Sequence, residues 1–200
     1  MGGSATIDVA QDKTLTYSGA ALSVGANTLT LTGGGSLSNT NSLMLGNASS
    51  VLNVTGANTV SGPVALTAGT LDIDEDSEIS GAIVQGGTAS IDVVTGKTLT
   101  YSGAAISLGA NILTISGAGF LSNTNKLVLG NSSSVLKISG SNTVRGPVSL
   151  NSGTIDVDET SAFVGDLTLG GVATIDVAQG KSLTYSGPEV SIGQYTLTIA

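Results

Sequence analysis

Apolar residues alternate with polar ones in short runs along the whole chain. TIDV at 6–9, TLTL at 28–31, VLNV at 51–54 and TLDI at 70–73 are one series. LTYSG at 15–19, SLSN at 36–39, NTVSG at 58–62 and SEISG at 77–81 are a second. LSVG at 22–25, LMLG at 43–46, PVALTAG at 63–69 and AIVQGG at 82–87 are a third. Alternation at period two, β-branched residues and punctuation by Gly, Asn and Ser predict strands of four or five residues joined by tight turns. No window of helical length carries an apolar stripe at period 3.6.

These series repeat. KTLTYSG at 13–19 returns at 97–103 and, as KSLTYSG, at 181–187, by the same step each time. Three units follow: residues 5–88, 89–172 and the beginning of a third at 173–200. Residues 1–4 read as a scar added for expression, so natural targeting signals are expected to have been cut away. Each unit divides into four segments of nearly equal length, which in the first unit run 5–24, 25–46, 47–68 and 69–88. Each segment holds one stretch from each series. The predicted fold is all-β: a right-handed parallel β-helix (β-solenoid) with three short strands per coil of 20–22 residues and about ten coils, the last incomplete.

The first stretch of each coil is expected to point two apolar side chains inward. The pairs run Ile7/Val9, Leu29/Leu31, Leu52/Val54, Leu71/Ile73 and onward to Leu197/Ile199, stacked coil on coil. Leu22, Leu43, Val64 and Ile83 start a second inward column. At ~4.8 Å per coil the rod is roughly 45 Å long. About six buried apolar side chains per coil, at ~1.5–3 kcal/mol each, do not offset the ordering of some twenty residues at ~1–2 kcal/mol each. A lone coil is therefore unstable, and repetition is a condition of folding.

Composition narrows the function. Six Lys and Arg face 14 Asp and Glu, for a net charge of −8, and His and Cys are absent. That balance argues against nucleic acid and against an anionic membrane surface. No apolar run has the length of a membrane span, so this segment is not expected to insert into one. Without Cys there are no disulfides and no thiolate metal sites. One Arg, no His and few aromatics leave little from which to assemble a catalytic cleft, and the chain is expected not to be an enzyme.

The densest charge is DIDEDSE at 72–78. Asp72 and Asp74 share an outward face, and Asp92 is expected to stack on Asp72 in the next coil. Asp156, Asp158 and Asp176 repeat the arrangement one unit later. Carboxylates ~5 Å apart repel by about 1 kcal/mol in water, and calcium would relieve that. The six aspartates are thus candidate calcium ligands, although the run is not an EF-hand loop: Ser77 and Ile83 stand where Gly and Glu would be needed. The competing reading is a solvated acidic edge that discourages lateral aggregation. Thr-rich stretches such as TLTLT at 28–32 suggest an ice-binding ladder, but charged residues interrupt it in other coils. Tyr17, Tyr101 and Tyr185, with Asn-Thr-Asn at 39–41 and 123–125, are read as turn and corner residues, with sugar contact as the alternative. Pro63 and Pro147, each after a glycine, are expected at a corner, where a missing N–H is tolerated.

SVLNVTGANTVSGPVALTAGTLDI at 50–73 and SVLKISGSNTVRGPVSLNSGTIDV at 134–157 carry a more specific pattern. It resembles the autotransporter-associated β-strand repeat, or passenger-associated transport repeat, of giant bacterial surface proteins. The match is confined to these two stretches and departs from that motif at Val60 and Val144, where an aromatic is usual. The resemblance implies a secreted, non-catalytic stalk or adhesin segment, extracellular at the bacterial cell surface, and it transfers no catalytic residue. Expected partners are host or cell-surface ligands, or further copies of the chain end to end. Two alternatives remain open: a filament subunit stacking through uncapped coils, and a calcium- or ligand-binding solenoid.

Overall fold

A computed structural model describes residues 1–200. It contains 27 short strands and no helix, and every strand pairing is parallel. The first series of stretches forms one sheet of ten strands, from Ala5–Val9 to Leu197–Ile199. The second forms a nine-stranded sheet from Thr14–Tyr17 to Leu183–Tyr185. The molecule is a β-solenoid of about nine full turns with three strands per turn. A single cluster of 38 buried apolar residues runs along the axis. Leu52, Leu71, Ile91, Leu113 and Leu136 are fully enclosed within it.

The sequence register needs one correction. Ala5 lies against Leu29, Ile7 against Leu31 and Val9 against Gly33, so the step from the first coil of a unit to the second is two positions longer than segment counting implies. Ala89, Ile91 and Val93 repeat this against Leu113, Ile115 and Gly117. Ala89 is the missed inward residue, buried beside Ile91 and Val93. The strand accommodates three inward side chains because its partner ends in glycine. A Cβ on Gly117 would lie 2.0 Å from the Val93 carbonyl oxygen, and its φ is +81°. The remaining steps agree with expectation: Leu52 lies on Leu71 and Leu71 on Ile91.

The third series does not form the continuous sheet expected from the repeat. It makes two sheets of four strands, one ending at Ile83–Gln85 and the other starting at Ile106–Ser107. The break falls where one repeat unit passes to the next, and Tyr101 bridges it. Its hydroxyl accepts a hydrogen bond from the Ile83 N–H at 3.0 Å and donates to the Ala104 carbonyl. Tyr185 does the same with the Leu167 N–H at 3.3 Å and the Pro188 carbonyl at 2.7 Å. Tyr101 is therefore a fully buried core residue, not the turn or corner residue expected from sequence. Val64 and Val148 start third-series strands directly after Pro63 and Pro147, as expected, and both proline carbonyls accept from the preceding coil, from Leu43 and Leu127.

Residues 1–4 contact the first coils. The Met1 amine donates to the Ser23 carbonyl at 2.5 Å, Met1 packs on the core, and Ser4 Oγ accepts from the Thr28 N–H.

Candidate functional site

Because inward positions are filled by packing, any chemistry must lie on the outward positions or at an open end. On the first sheet, Asp72 stands between Asn53 and Asp92, as the acidic stack expectation requires. Asp156 stands between Lys137 and Asp176. The two copies then differ. Lys137 Nζ reaches Asp156 at 2.9 Å and Asp158 at 2.5 Å, so the second copy carries its own cation. In the first copy Asn53 holds that place. Burial, followed by repulsion from Asp74 and Asp92, pushes the Asp72 carboxyl above its ordinary value. The Lys137 ammonium is pushed up by its hydrogen bonds to Asp158 and Asp156.

The stack is only two carboxylates deep. Above Asp92 comes Ser116, whose hydroxyl donates to Asp92 Oδ1. The six candidate aspartates are thus brought together as two pairs, Asp72 with Asp92 and Asp156 with Asp176, with Asp74 and Asp158 beside them. Nowhere do three or more acidic side chains converge closely enough to hold a metal ion. The geometry answers charge with lysine rather than with a preformed cage: Lys97 pairs with Glu75 and Lys181 with Glu159, the latter at 2.6 Å.

On the second sheet an open groove of about 450 Å³ is lined by Asn58, Thr59, Asp76, Glu78, Thr98 and Thr100. Asp76 accepts from the Thr98 N–H at 2.7 Å, and Glu78 from the Ser102 hydroxyl at 2.6 Å. The same place one unit later has Thr160 and Ala162 instead of the two acids. Two coils beyond the groove, Arg145 stacks on Phe120, 4.0 Å from the ring centre. Ser61 and Ser36 occupy those positions in the first unit.

The two complete units therefore differ in a consistent direction. Changes at inward positions exchange one apolar residue for another, as in Val54 and Ile138, Leu71 and Ile155, or Ile79 and Phe163. Every change of charge falls at an outward position, as in Asn53 and Lys137, Ser61 and Arg145, or Glu78 and Ala162. The outward acids, and Lys137 next to Asp156 in the same outward column, are visible in the sequence pattern, but the Arg145–Phe120 stack emerges only from strand register.

A third feature is the last coil, where a pocket of about 270 Å³ is lined entirely by apolar side chains, among them Phe163, Leu183, Tyr185 and Ile192.

Comparison with known proteins gives one relevant likeness. The chain is 35% identical over 188 residues to "Outer membrane protein A" of Rickettsia rickettsii, a match that takes in 92% of this chain. The chain spans 7% of that relative's length. No protein family profile matches, and no solved structure does. The solenoid and the likeness to an outer membrane protein together fit a repeat segment of a bacterial surface protein.

Proposed function

We propose that this chain is a length of non-catalytic structural stalk or adhesin in a protein displayed on the outside of a bacterium, and that its outward face meets host or cell-surface ligands. The observation that carries the reading is the contrast between units: the buried letters stay apolar and keep the solenoid going, while every change of charge falls on an exposed or half-buried letter. A scaffold whose length grows by duplication has this property, since each coil is stabilised by its neighbours and a new unit needs only a compatible core. The autotransporter-type repeat resemblance at 50–73 and 134–157 and the likeness to a rickettsial outer membrane protein support surface display.

The test is geometric. Chains carrying one, two and three further copies of residues 89–172 should lengthen by ~19 Å per copy in electron micrographs, at ~4.8 Å per coil. A terminal epitope on a surface-displayed series should move away from the cell by the same increment. Collapsed particles whose length ignores copy number would remove the stalk reading.

A further inference from the structure

The outer face of the second sheet is nearly free of charge. Among its nine strands Glu78 and Arg145 are the charged residues, and most other outward positions are Ser or Thr. Strand register sets these two in one outward column. Glu78 lies under Thr100, Thr100 under Ser122, and Ser122 under Arg145. Three strand spacings, ~14 Å, keep them from pairing within the chain. Both retain bonding capacity. Arg145 is exposed and belongs to none of the ion pairs, all of which are made by lysines. Its guanidinium is stacked on Phe120, which leaves the fork of N–H donors free at the rim. Glu78 accepts from the Ser102 hydroxyl through Oε1 and has Oε2 to spare.

We infer that this face is a self-complementary contact between two copies of the chain, packed sheet against sheet with their long axes antiparallel. The column Glu78, Thr100, Ser122, Arg145 is its own partner when reversed. A two-fold axis along the strand direction, level with the space between Thr100 and Ser122, sets Glu78 against Arg145 of the second copy and Arg145 against its Glu78. Thr100 then faces Ser122. In the adjacent column Thr98 lies under Phe120, so the same axis sets each Phe120 on the other copy's Thr98. Both charged pairs close at once, as an isologous interface requires. Parallel copies in register would instead oppose Glu78 to Glu78 and Arg145 to Arg145, which disfavours that arrangement. Parallel copies staggered by three coils would close one pair per contact and leave the other pair open. Asp72, Asp92, Asp156 and Asp176 stand on the first sheet, off this face. The first sheet offers no such contact, because its one outward cation, Lys137, is already held by Asp156 and Asp158. The face is one short strand wide, so the contact belongs to the weak class that buries less than ~1,200 Å². It asks for a second copy of the chain and for no host ligand.

The experiment is sedimentation of the full chain over a concentration series, beside Glu78→Arg, Arg145→Glu and an equal mixture of those two variants. Glu78→Arg opposes arginine to arginine at both pairs, and Arg145→Glu opposes carboxylate to carboxylate. Each alone should dimerise at least about tenfold more weakly than the parent. The mixture should recover the dimer, because every contact then joins Arg to Glu. A second measurement leaves the charges untouched. The chain has no cysteine, so Thr100→Cys and Ser122→Cys give chains with one thiol each. Mixed and oxidised, they should cross-link at least about tenfold faster than either alone, because like positions are offset by a strand spacing of ~4.8 Å and unlike positions face each other. A parent that stays monomeric, with no preference for the mixed cross-link, would overturn the inference. So would single charge variants that dimerise as well as the parent. Assemblies that grow beyond two copies would overturn it too, because they assign the face to a staggered parallel contact.

Discussion

The Tyr101 hydroxyl accepts a hydrogen bond from the Ile83 N–H across the break in the third sheet. The same oxygen donates to the Ala104 carbonyl. One side chain thereby satisfies two backbone groups that a continuous ladder would have paired. This accounts for the recurrence of the KTLTYSG stretch: its tyrosine joins one repeat unit to the next from inside the core.

Tyr101→Phe keeps the ring and removes the bracket, leaving a buried N–H and a carbonyl without partners. The expected loss is ~1–3 kcal/mol in urea unfolding. Tyr185→Phe, at a half-buried site near the open end, should lose less. Burial also holds the Tyr101 phenol above its ordinary value, against the lowering effect of the Ile83 N–H. A folded-state value above the unfolded one means that stability falls as pH rises past the unfolded value near 10. The wild-type chain should lose stability in that alkaline range more steeply than the Phe variant, as a pH series of unfolding midpoints would show.

Asp72 sets a pH dependence at the acidic end. Its carboxyl titrates above its ordinary value because of burial and then Asp74 and Asp92. The folded state therefore holds the proton more tightly than the unfolded chain. The associated stability is present below the unfolded value near 3.9 and is lost as pH rises through the folded value. Asp72→Asn should consequently raise the melting temperature at pH 7, by an amount equivalent to about 1 kcal/mol or less for like charges in register. At pH 3 the variant and the parent should melt together. A variant that melts lower than the parent at pH 7 would mean that the carboxylate has a partner worth more than its repulsion.

The two units provide their own control for that strip. Lys137 faces Asp156 in the second copy, and Asn53 faces Asp72 in the first. Asn53→Lys should stabilise the chain at neutral pH and Lys137→Asn should destabilise it, each by up to ~1 kcal/mol for partly exposed pairs. Raising salt to about 1 M, where the screening length falls to roughly 3 Å, should shrink both effects. The Lys137 ammonium titrates above its ordinary value, so its stabilisation persists through neutral pH and fades only in strong alkali. Thermal melts of the two single variants and their combination check the sign and the additivity.

Much of this was legible from alternation and period alone. The coil count, the strand series and the facing of Asp72 to Asp92 follow because side chains in a strand alternate strictly and a parallel stack repeats its register. The break in the third sheet was not legible, because LSVG and AIVQGG look like any other pair of stretches. It depends on where a tyrosine hydroxyl lands outside its own strand. The offset at Ala5 and Ala89 was missed for a related reason: alanine scores weakly as a core residue, and Gly33 and Gly117 read as turn punctuation rather than as strand ends beneath Val9 and Val93. At the outward site the acids and the place of Lys137 beside Asp156 were both visible in the outward column, but the reach of the same Lys137 Nζ to Asp158 was not.

The glycine at 117 makes that offset testable. Its φ of +81° lies in the left-handed region, and a Cβ would come within 2.0 Å of the Val93 carbonyl oxygen and 3.1 Å of the Val93 nitrogen. Those atoms are backbone in a paired strand and cannot move aside without breaking the ladder between Ala89–Val93 and Ile112–Gly117. Gly96 has nearly the same conformation, with φ +77°, but nothing lies within 4 Å of the added carbon. Gly96→Ala therefore isolates the conformational cost, ~1–2 kcal/mol. Gly117→Ala carries that cost and the clash together and should lose at least twice as much, with the first sheet disturbed at its middle. Urea unfolding of the two variants separates the contributions. Equal losses would mean that the strand at 112–117 can shift away from Val93, and that the third inward residue of each first coil is not fixed by the glycine beneath it.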